Sequence, residues 1–577
     1  MSVETYDNAV IERIRTLGRP PYRAVVKRTY DESRKAEALA DTFRVFQKSL
    51  RLVPPIDWRQ DPAGSRSSRY ELHTLQLLDV LFHLYLVDGS LGALDRARSI
   101  GIDWIRANAP DEPRVSEFAW YDMAVGLRAP YLAFLLRASV HEGRIEPTEA
   151  ALLLTSLRSH GEYLVDGANY AHGHNHGLFQ DEGLFLIADY LPWLAEADEW
   201  REVASRRAIE TLRATINETE AVHLEHSPAY HLVIVNLVRR LRHQTEVGGA
   251  ELDDLLRRLE ETAAWFVMPD GTLPELGDTD QVAAPAWVLD RIPGDTSGCR
   301  LFSESGYAVV RTPESYLIAT AGYHGSGHKH ADELSFVLYE AGRRIVGDSG
   351  RYGYYESDPH RVYARSSHAH NVLVVDDQSF GWKGATPYGS GILAGGEDGG
   401  WFGIVGENPL LRAQSVEHVR LFLYRPAHAL VIVDDVRSDA DHEYMRLLHF
   451  GVGLELDAAG DLLHLRAPGF AGALHAWAID GGSSRRLRRG SEQPDLRGWS
   501  YSGDRQRREV TTVEFADRGR DGVYALALSL QDSPMRVRLA ANEADEYRIV
   551  VDFDGRIYQL TARLGGGVLQ VNEREIA

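Results

Sequence analysis

The period of the apolar residues changes once along this chain, near Pro269, and that change limits the folds open to it. From about Asp31 to Phe266 apolar residues recur at i, i+3, i+4 and i+7, the spacing of one buried helical face. The segment YELHTLQLLDVLFHLYLVDGSLGALDRARSIGIDWIRAN shows this, broken at Asp88-Gly89 where a turn is expected. WYDMAVGLRAPYLAFLLRASVHEG, the stretch Glu146 to Leu157 and AVHLEHSPAYHLVIVNLVRRLRHQ repeat it. After Pro269 come short runs such as YAVVRT, SYLIATAG, LSFVLYEAG, HNVLVVDD and RLFLYRPAHALVIVDDV, punctuated by Gly, Asp and Pro. These read as antiparallel strands. Helices first and strands second predict an α+β chain of segregated domains instead of alternating β-α-β units. The expected boundaries are a helical bundle or toroid over 1–298 and an antiparallel β domain over 299–577, with a smaller β subdomain from about 500. A length of 577 residues exceeds what a single core holds.

Composition narrows the function classes. The formal net charge is −21, which opposes general binding to nucleic acid or an anionic membrane, since both rely on Lys and Arg contacts. A polyanionic substrate would need a local basic cleft; Arg239, Arg240 and Arg242, or Arg485, Arg486, Arg488 and Arg489, could form one or be solvated faces. The single cysteine, Cys299, permits no internal disulfide. No apolar h-region opens the chain and no membrane-spanning run is expected. A cytoplasmic location follows as the expectation, with the periplasm or secretion left open.

Polar chemistry is concentrated in Tyr323 to Asn371. There GYHGSGHKHADELSF, RRIVGDSGRYGYY and HRVYARSSHAHNVLVVDD carry His324, His328, His330, His368, His370 and the apolar-flanked Asp348. If these segments are strands, each His-x-His pair points both rings to one face, which suits a divalent metal or proton transfer near neutral pH. His330, Asp348 and His370 form a plausible zinc set of two imidazoles and a carboxylate. A cupin-type metal site is disfavoured by Ser335, which stands where a glutamate would be expected. The helical half adds AHGHNHGLFQDEG, with His172, His174, Asn175, His176, Asp181 and Glu182, and LEHSPAYHL, with Glu225, His226, Ser227, Tyr230 and His231. Ser227 and Pro228 also read as a helix cap and first turn.

Taken in order, these pieces resemble the heparinase II/III-like polysaccharide lyases, a family that includes heparin, heparan and alginate lyases. The matching motifs are Asn-His-Gly at 175–177, Ser-Pro-x-Tyr-His at 227–231 and Gly-His-x-His-x-Asp at 327–332. Asp-Ser-Gly at 348–350 and Ser-x-Ala-His-Asn at 367–371 follow, and PIDWRQDP resembles the start of the helical domain. The resemblance runs from about Pro54 to Asp377. It implies an N-terminal (α/α) toroid followed by a C-terminal antiparallel β-sandwich, and β-elimination at a uronic acid. Donors on the uronate carboxylate stabilise the enolate-like transition state, and the resemblance gives that part to Asn175 and His176. Tyr230 resembles the tyrosine that protonates the leaving O4, and His328 the base that takes the C5 proton. Tyr363 is similar to a second tyrosine acting as base in the alginate-cleaving branch. His231, His324, Arg361 and Arg365 are the expected substrate-binding side chains. A tyrosine base needs nearby positive charge to lower its pKa from about 10, and Arg361 and Arg365 are candidate sources. His330, Asp348 and His370 resemble a structural Zn2+ set. The implied partner is an anionic, uronate-containing polysaccharide or oligosaccharide, and a homo-oligomer is compatible with this reading.

The chain departs from the family where Phe179 and Gln180 stand in place of a glutamate after the Asn-His pair. Two other readings stay open. A glycoside hydrolase on a helical toroid would need two carboxylic acids, such as Glu225 with Glu182 or Asp181. A non-catalytic carbohydrate-binding protein would use zinc only as a staple.

Overall fold

The computed structural model describes residues 8–22, 30–46, 48–110, 116–244, 249–292, 297–478, 483–543, 546–553, 555–565 and 568–576, and every feature below lies within them. The chain forms two compact units, one of residues 1–215 and 236–254, the other of 216–235 and 255–577.

The first unit is helical. Its central helix, Asp122–His141, is buried from Ala124 to Val140, and Leu91–Ala107, Pro147–Val165 and Asn175–Tyr190 pack on it. A helix covered on every side has no polar face to display. Asp122–His141 is therefore long and apolar enough to cross a membrane, with a mean hydropathy of 1.2, although 94% of that window is buried inside the protein. This corrects the expectation that no such segment exists: the apolarity belongs to a core helix. Its one fully buried charge, Arg128, donates to His160 Nε2 at 2.9 Å and to the carbonyls of His73 and Ala119 at 2.6 and 2.8 Å. Two glycines let this helix meet Asn175–Tyr190 backbone to backbone. A Cβ on Gly126 would lie 2.4 Å from the carbonyl oxygen of Phe179, and one on Gly183 2.4 Å from that of Gly126.

The second unit is mostly antiparallel β. A five-stranded sheet runs in the order Arg343–Val346, Ser335–Glu340, Tyr316–Thr320, Tyr307–Arg311 and Gly298–Phe302. Its three central strands are buried along their whole length because both faces are covered. Val310, Leu317, Ala319, Phe336 and Leu338 enter one core, while Tyr307, Val309, Tyr316, Ile318 and Val337 meet Phe266 and Leu276 on the other side. A twelve-stranded sheet packs against the first core through Phe402, Ile404, Phe422 and Ile432. The opposite side chains of its strands, such as Val405, Leu421, Val431 and Val433, are covered by the sheet's own last strands through Ile549, Leu560 and Val571. Strands beyond residue 500 pair with earlier ones: Gly522–Ser529 with Ala429–Ser438, and Thr511–Gly519 with His442–His449.

The histidine segments do not lie on strands. His328 sits in a turn with φ of +54°, and His368 lies in the short 3-10 turn Ser367–Ala369. The rings of the second His-x-His pair take different partners instead of sharing a face, His368 meeting Asp377 at 2.8 Å and His370 meeting Asp348, whereas His328 and His330 both meet Asp278, one at each carboxylate oxygen.

Candidate active site

Within the second unit, polar groups converge where the turn 226–230 meets the segments 277–280, 327–330 and 351–361. Ser227 caps the helix Pro228–Gln244, its hydroxyl accepting from the Tyr230 amide at 3.4 Å and sharing a 2.8 Å hydrogen bond with Thr279. The cap thus fixes Tyr230 in the first helical turn and ties that turn to the loop carrying Asp278. The Tyr230 and Tyr354 hydroxyls are 2.7 Å apart, and the Tyr230 ring lies nearly parallel to His328 with centroids 3.4 Å apart.

Asp278 is the hub. Its Oδ2 accepts from His328 Nδ1 at 2.9 Å, its Oδ1 from His330 Nε2 at 2.9 Å, and Arg361 reaches the two oxygens at 2.6 and 3.2 Å. The other ring nitrogen of His328 lies 3.2 Å from Glu225 Oε2. Gly277 makes this arrangement possible. It has φ of +54°, and a Cβ there would sit 2.3 Å from the carbonyl oxygen of His226. His226, itself at φ +57°, holds Gly327 O through Nδ1 at 2.9 Å and accepts the His324 amide at Nε2 at 3.0 Å. Both contacts fix its tautomer and tie the 226 turn to the loop bearing His328. That loop is further anchored by buried Lys329, whose ammonium meets Asp332 and Glu333 at 2.5 and 2.9 Å.

The electrostatics follow from burial and these partners. Burial pushes the Tyr230 phenol up to about 12 despite the hydrogen bond from Tyr354, and burial with the nearby Asp278 charge holds Tyr354 well above the usual phenol range. Both phenols are protonated at neutral pH, so neither is depressed in the way expected of a tyrosine base. Arg361 directs its charge at Asp278 instead. Burial works against a charged His328, yet hydrogen bonds donated to Asp278 and Glu225 outweigh it and raise the ring above its ordinary value. Burial also opposes ionisation of Asp278, but His328, His330 and Arg361 hold it well below the carboxylate range. Such a cluster can donate a proton from a phenol and exchange one at an imidazole.

Of the expected residues, Tyr230, His328, His330 and Arg361 come together here. Tyr363 does not join them. It packs in a separate aromatic cluster with Tyr501, Trp499 and Ala369, and Tyr354 is the tyrosine bonded to Tyr230. His231 is buried with Nε2 on Leu259 O and Nδ1 accepting the His223 amide, while His324 Nε2 faces Ser305 O at 3.3 Å. Arg365 pairs with Glu356 at 2.8 Å. In the first unit, Asn175 and His176 begin the helix Asn175–Tyr190, where His174 Nδ1 accepts the His176 amide and His176 Nδ1 lies 3.1 Å from Asp122. The acids offered for hydrolysis are otherwise engaged: Glu182 is held by Arg240 at 2.9 and 3.0 Å, and buried Asp181 accepts from Tyr170.

Among the described residues, no group of three or more His, Cys, Asp or Glu side chains is arranged to hold a metal ion. The proposed zinc donors stand in pairs: His370 Nδ1 with both Asp348 oxygens at 3.0 and 2.9 Å, and His330 with Asp278. Their rings are neighbours, 5.3 Å between centroids. His330 Nδ1 and His370 Nε2 are buried without a hydrogen-bond partner, which leaves two imidazole nitrogens of a type zinc accepts.

Sequence reasoning missed Asp278, Tyr354 and Arg351, whose guanidinium stands 5.0 Å over the Tyr354 ring. The signal was present in PELGDTD and RYGYY, two polar, glycine-bearing runs next to buried strands. Glu225, which the sequence offers as a hydrolytic acid, lies 3.2 Å from His328 Nε2 instead.

Comparison with known proteins agrees with this architecture. The description "Heparinase II/III N-terminus" matches residues 12–292 and "Heparinase II/III-like, C-terminal" residues 294–540. A heparin-sulfate lyase of Bacteroides thetaiotaomicron is 23% identical over 508 residues, covering 75% of this chain and 71% of that protein. Another, from Bacteroides stercoris, is 22% identical over 408 residues, 60% of each chain, so the match spans less than two thirds of that relative. A crystal structure of heparinase III superposes with a TM-score of 0.81 at 17% identity, over 96% of this chain and 95% of that one. The fold is accordingly a helical toroid with a β-sandwich domain.

Proposed function

Because the chain belongs to the heparinase II/III family, a family of polysaccharide lyases, we propose that it cleaves a uronic-acid-containing glycan by β-elimination. The observation carrying this reading is the hydrogen-bonded phenol pair Tyr230–Tyr354, with the Tyr230 ring stacked on an imidazole that two carboxylates orient. In the reaction a base removes the C5 proton, the C5–H electron pair forms the C4=C5 double bond, and the C4–O4 bond breaks. The leaving O4 then takes a proton. Tyr230, neutral at working pH because its pKa stands near 12, is assigned that proton donation. The C5 proton goes to His328 or to a tyrosine, of which Tyr354 is the one in reach of Tyr230. Arg351 and Arg361, 5.0 and 5.3 Å from the Tyr354 ring centre, favour negative charge developing there. Asn175 and His176 are assigned to the uronate carboxylate on the strength of the Asn-His-Gly motif. His330, Asp348 and His370 are assigned a structural Zn2+, which would hold their segments together; the two unpartnered ring nitrogens support it. Elemental analysis of the purified protein and of His330→Ala tests that assignment, and equal metal content in both would remove it.

The lyase reading is tested on a panel of uronate glycans by following the ultraviolet absorbance of the conjugated C4=C5 bond together with new reducing ends. Both signals rising in step are expected. Reducing ends without absorbance would mean hydrolysis, and neither signal would mean binding alone.

A further inference from the structure

Beside the catalytic cluster, on the segments 356–366 and 379–383, lies a cavity of about 310 Å³. Its wall carries cations in an acidic protein. Arg361 and Arg365 stand four residues apart at the end of the short helix Pro359–Ala364, an i,i+4 pair of like charges that oppose each other. Arg365 also stacks on Trp382, its guanidinium carbon 4.8 Å from the ring centre, and the Lys383 ammonium lies 5.7 Å from the same ring. Lys383 is exposed and has no ion pair among the described residues. The one acid lining the cavity, Glu356, is 63% exposed and pairs with Arg365 at 2.8 Å. A solvated carboxylate in that position is a weak partner that a bound anion can replace.

We propose that this groove is a second sugar subsite, in which Lys383 and Arg365, both held against the buried Trp382 ring, bind the carboxylate or sulfate of an anionic pyranose. The inference rests on the lyase reading for the identity of the polymer, and on the groove alone for the anionic sugar. Arg361 links the two places, because it lines the groove and holds Asp278. Charge-assisted contacts to Lys and Arg select anionic sugars over neutral ones.

The test is calorimetric binding of three tetrasaccharides to the full chain in a Tyr230→Phe background that prevents turnover. One alternates glucuronate with N-acetylglucosamine, one is its N-sulfated form, and one is neutral chitotetraose. Lys383→Glu is expected to weaken both anionic probes about tenfold or more, with Lys383→Arg restoring affinity. Glu356→Gln should tighten them several-fold, because it frees Arg365; a structural role would not produce this reversed sign. Lys48→Glu, an equal charge change on an exposed residue elsewhere, should leave affinity unchanged. A greater loss for the N-sulfated probe assigns sulfate, and an equal loss assigns the uronate carboxylate. Unchanged affinity in Lys383→Glu, the same loss in Lys48→Glu, or no preference of the unaltered groove for anionic over neutral probes overturns the subsite. If Lys383-dependent binding persists while wild-type protein eliminates nothing, the lyase reading falls and the groove stands. If elimination is robust while Lys383→Glu binds normally, the groove falls alone.

Discussion

Replacing Asp278 by Asn removes one charge from the centre of the second unit and almost no volume. Asp278 is 3% exposed and accepts from Arg361, His328 and His330 at 2.6 to 3.2 Å. An asparagine keeps one acceptor oxygen but turns an NH2 toward groups that are themselves donors, leaving the buried Arg361 guanidinium only the solvated Glu356, 3.7 Å away, as a counter-charge. Breaking a buried pair from one side costs about 3–5 kcal/mol, a large share of the roughly 5–15 kcal/mol that keeps a domain folded. At about 2 °C per kcal/mol for a domain this large, Tm should fall by about 6–10 °C. The pH dependence supplies a second check. The folded-state pKa of Asp278 is depressed, so its contribution is complete above the unfolded value of about 3.9 and is lost as pH falls toward the folded one. The gap in urea midpoint between wild type and Asp278→Asn should be full at pH 7 and should narrow below about pH 4. Equal midpoints at pH 7, or a gap that widens on acidification, would refute the hub assignment.

Other consequences follow from the same geometry. Gly277→Ala places a methyl group 2.3 Å from the His226 carbonyl at a positive φ and should cost about 2–4 kcal/mol, read by urea denaturation; a cost under about 1 kcal/mol would show that the turn adjusts freely. Tyr354→Phe should lower turnover about 100-fold or more, whereas Tyr363→Phe, in its own aromatic cluster, should stay within about threefold of wild type; the reverse order would restore Tyr363 as the second tyrosine. Burial pushes His73, His226 and His231 down to about 3 and His449 to about 4. Below the unfolded value of about 6.5 the unfolded chain therefore binds protons the folded chain refuses, and stability falls with pH. The slope approaches about 5 kcal/mol per pH unit if all four act together, and a urea midpoint unchanged from pH 6.5 to 5 would contradict it.

The architecture was legible because each half displays the period of its own secondary structure. Even Asp122–His141, which lacks a polar stripe, packs against Leu91–Ala107 and Pro147–Val165, which have one. The motif tyrosine and histidine were legible too, since Ser227-Pro228 marks a helix start and thereby the position of Tyr230. Partners were not. His328 takes its orientation from Asp278, fifty residues earlier in a Gly-Asp-Thr-Asp loop that reads as a simple turn. The positive φ of His328 and the missing Cβ of Gly277, which let the two meet, leave no trace in apolar periodicity. The phenol partner of Tyr230 was equally out of reach, because Tyr363 lies on the short helix Pro359–Ala364 with its ring in the Tyr501 cluster, while Tyr354, in the loop before that helix, meets Tyr230.

The central claim is that a phenolic proton on Tyr230 completes the elimination. The direct measurement is the rate of double-bond formation by Tyr230→Phe on whichever uronate glycan the wild type cleaves, with calorimetric affinity for the same glycan measured alongside. Turnover lower by about 1,000-fold or more with affinity within a few-fold of wild type is the predicted result. Turnover near the wild-type rate with the hydroxyl gone would contradict the account.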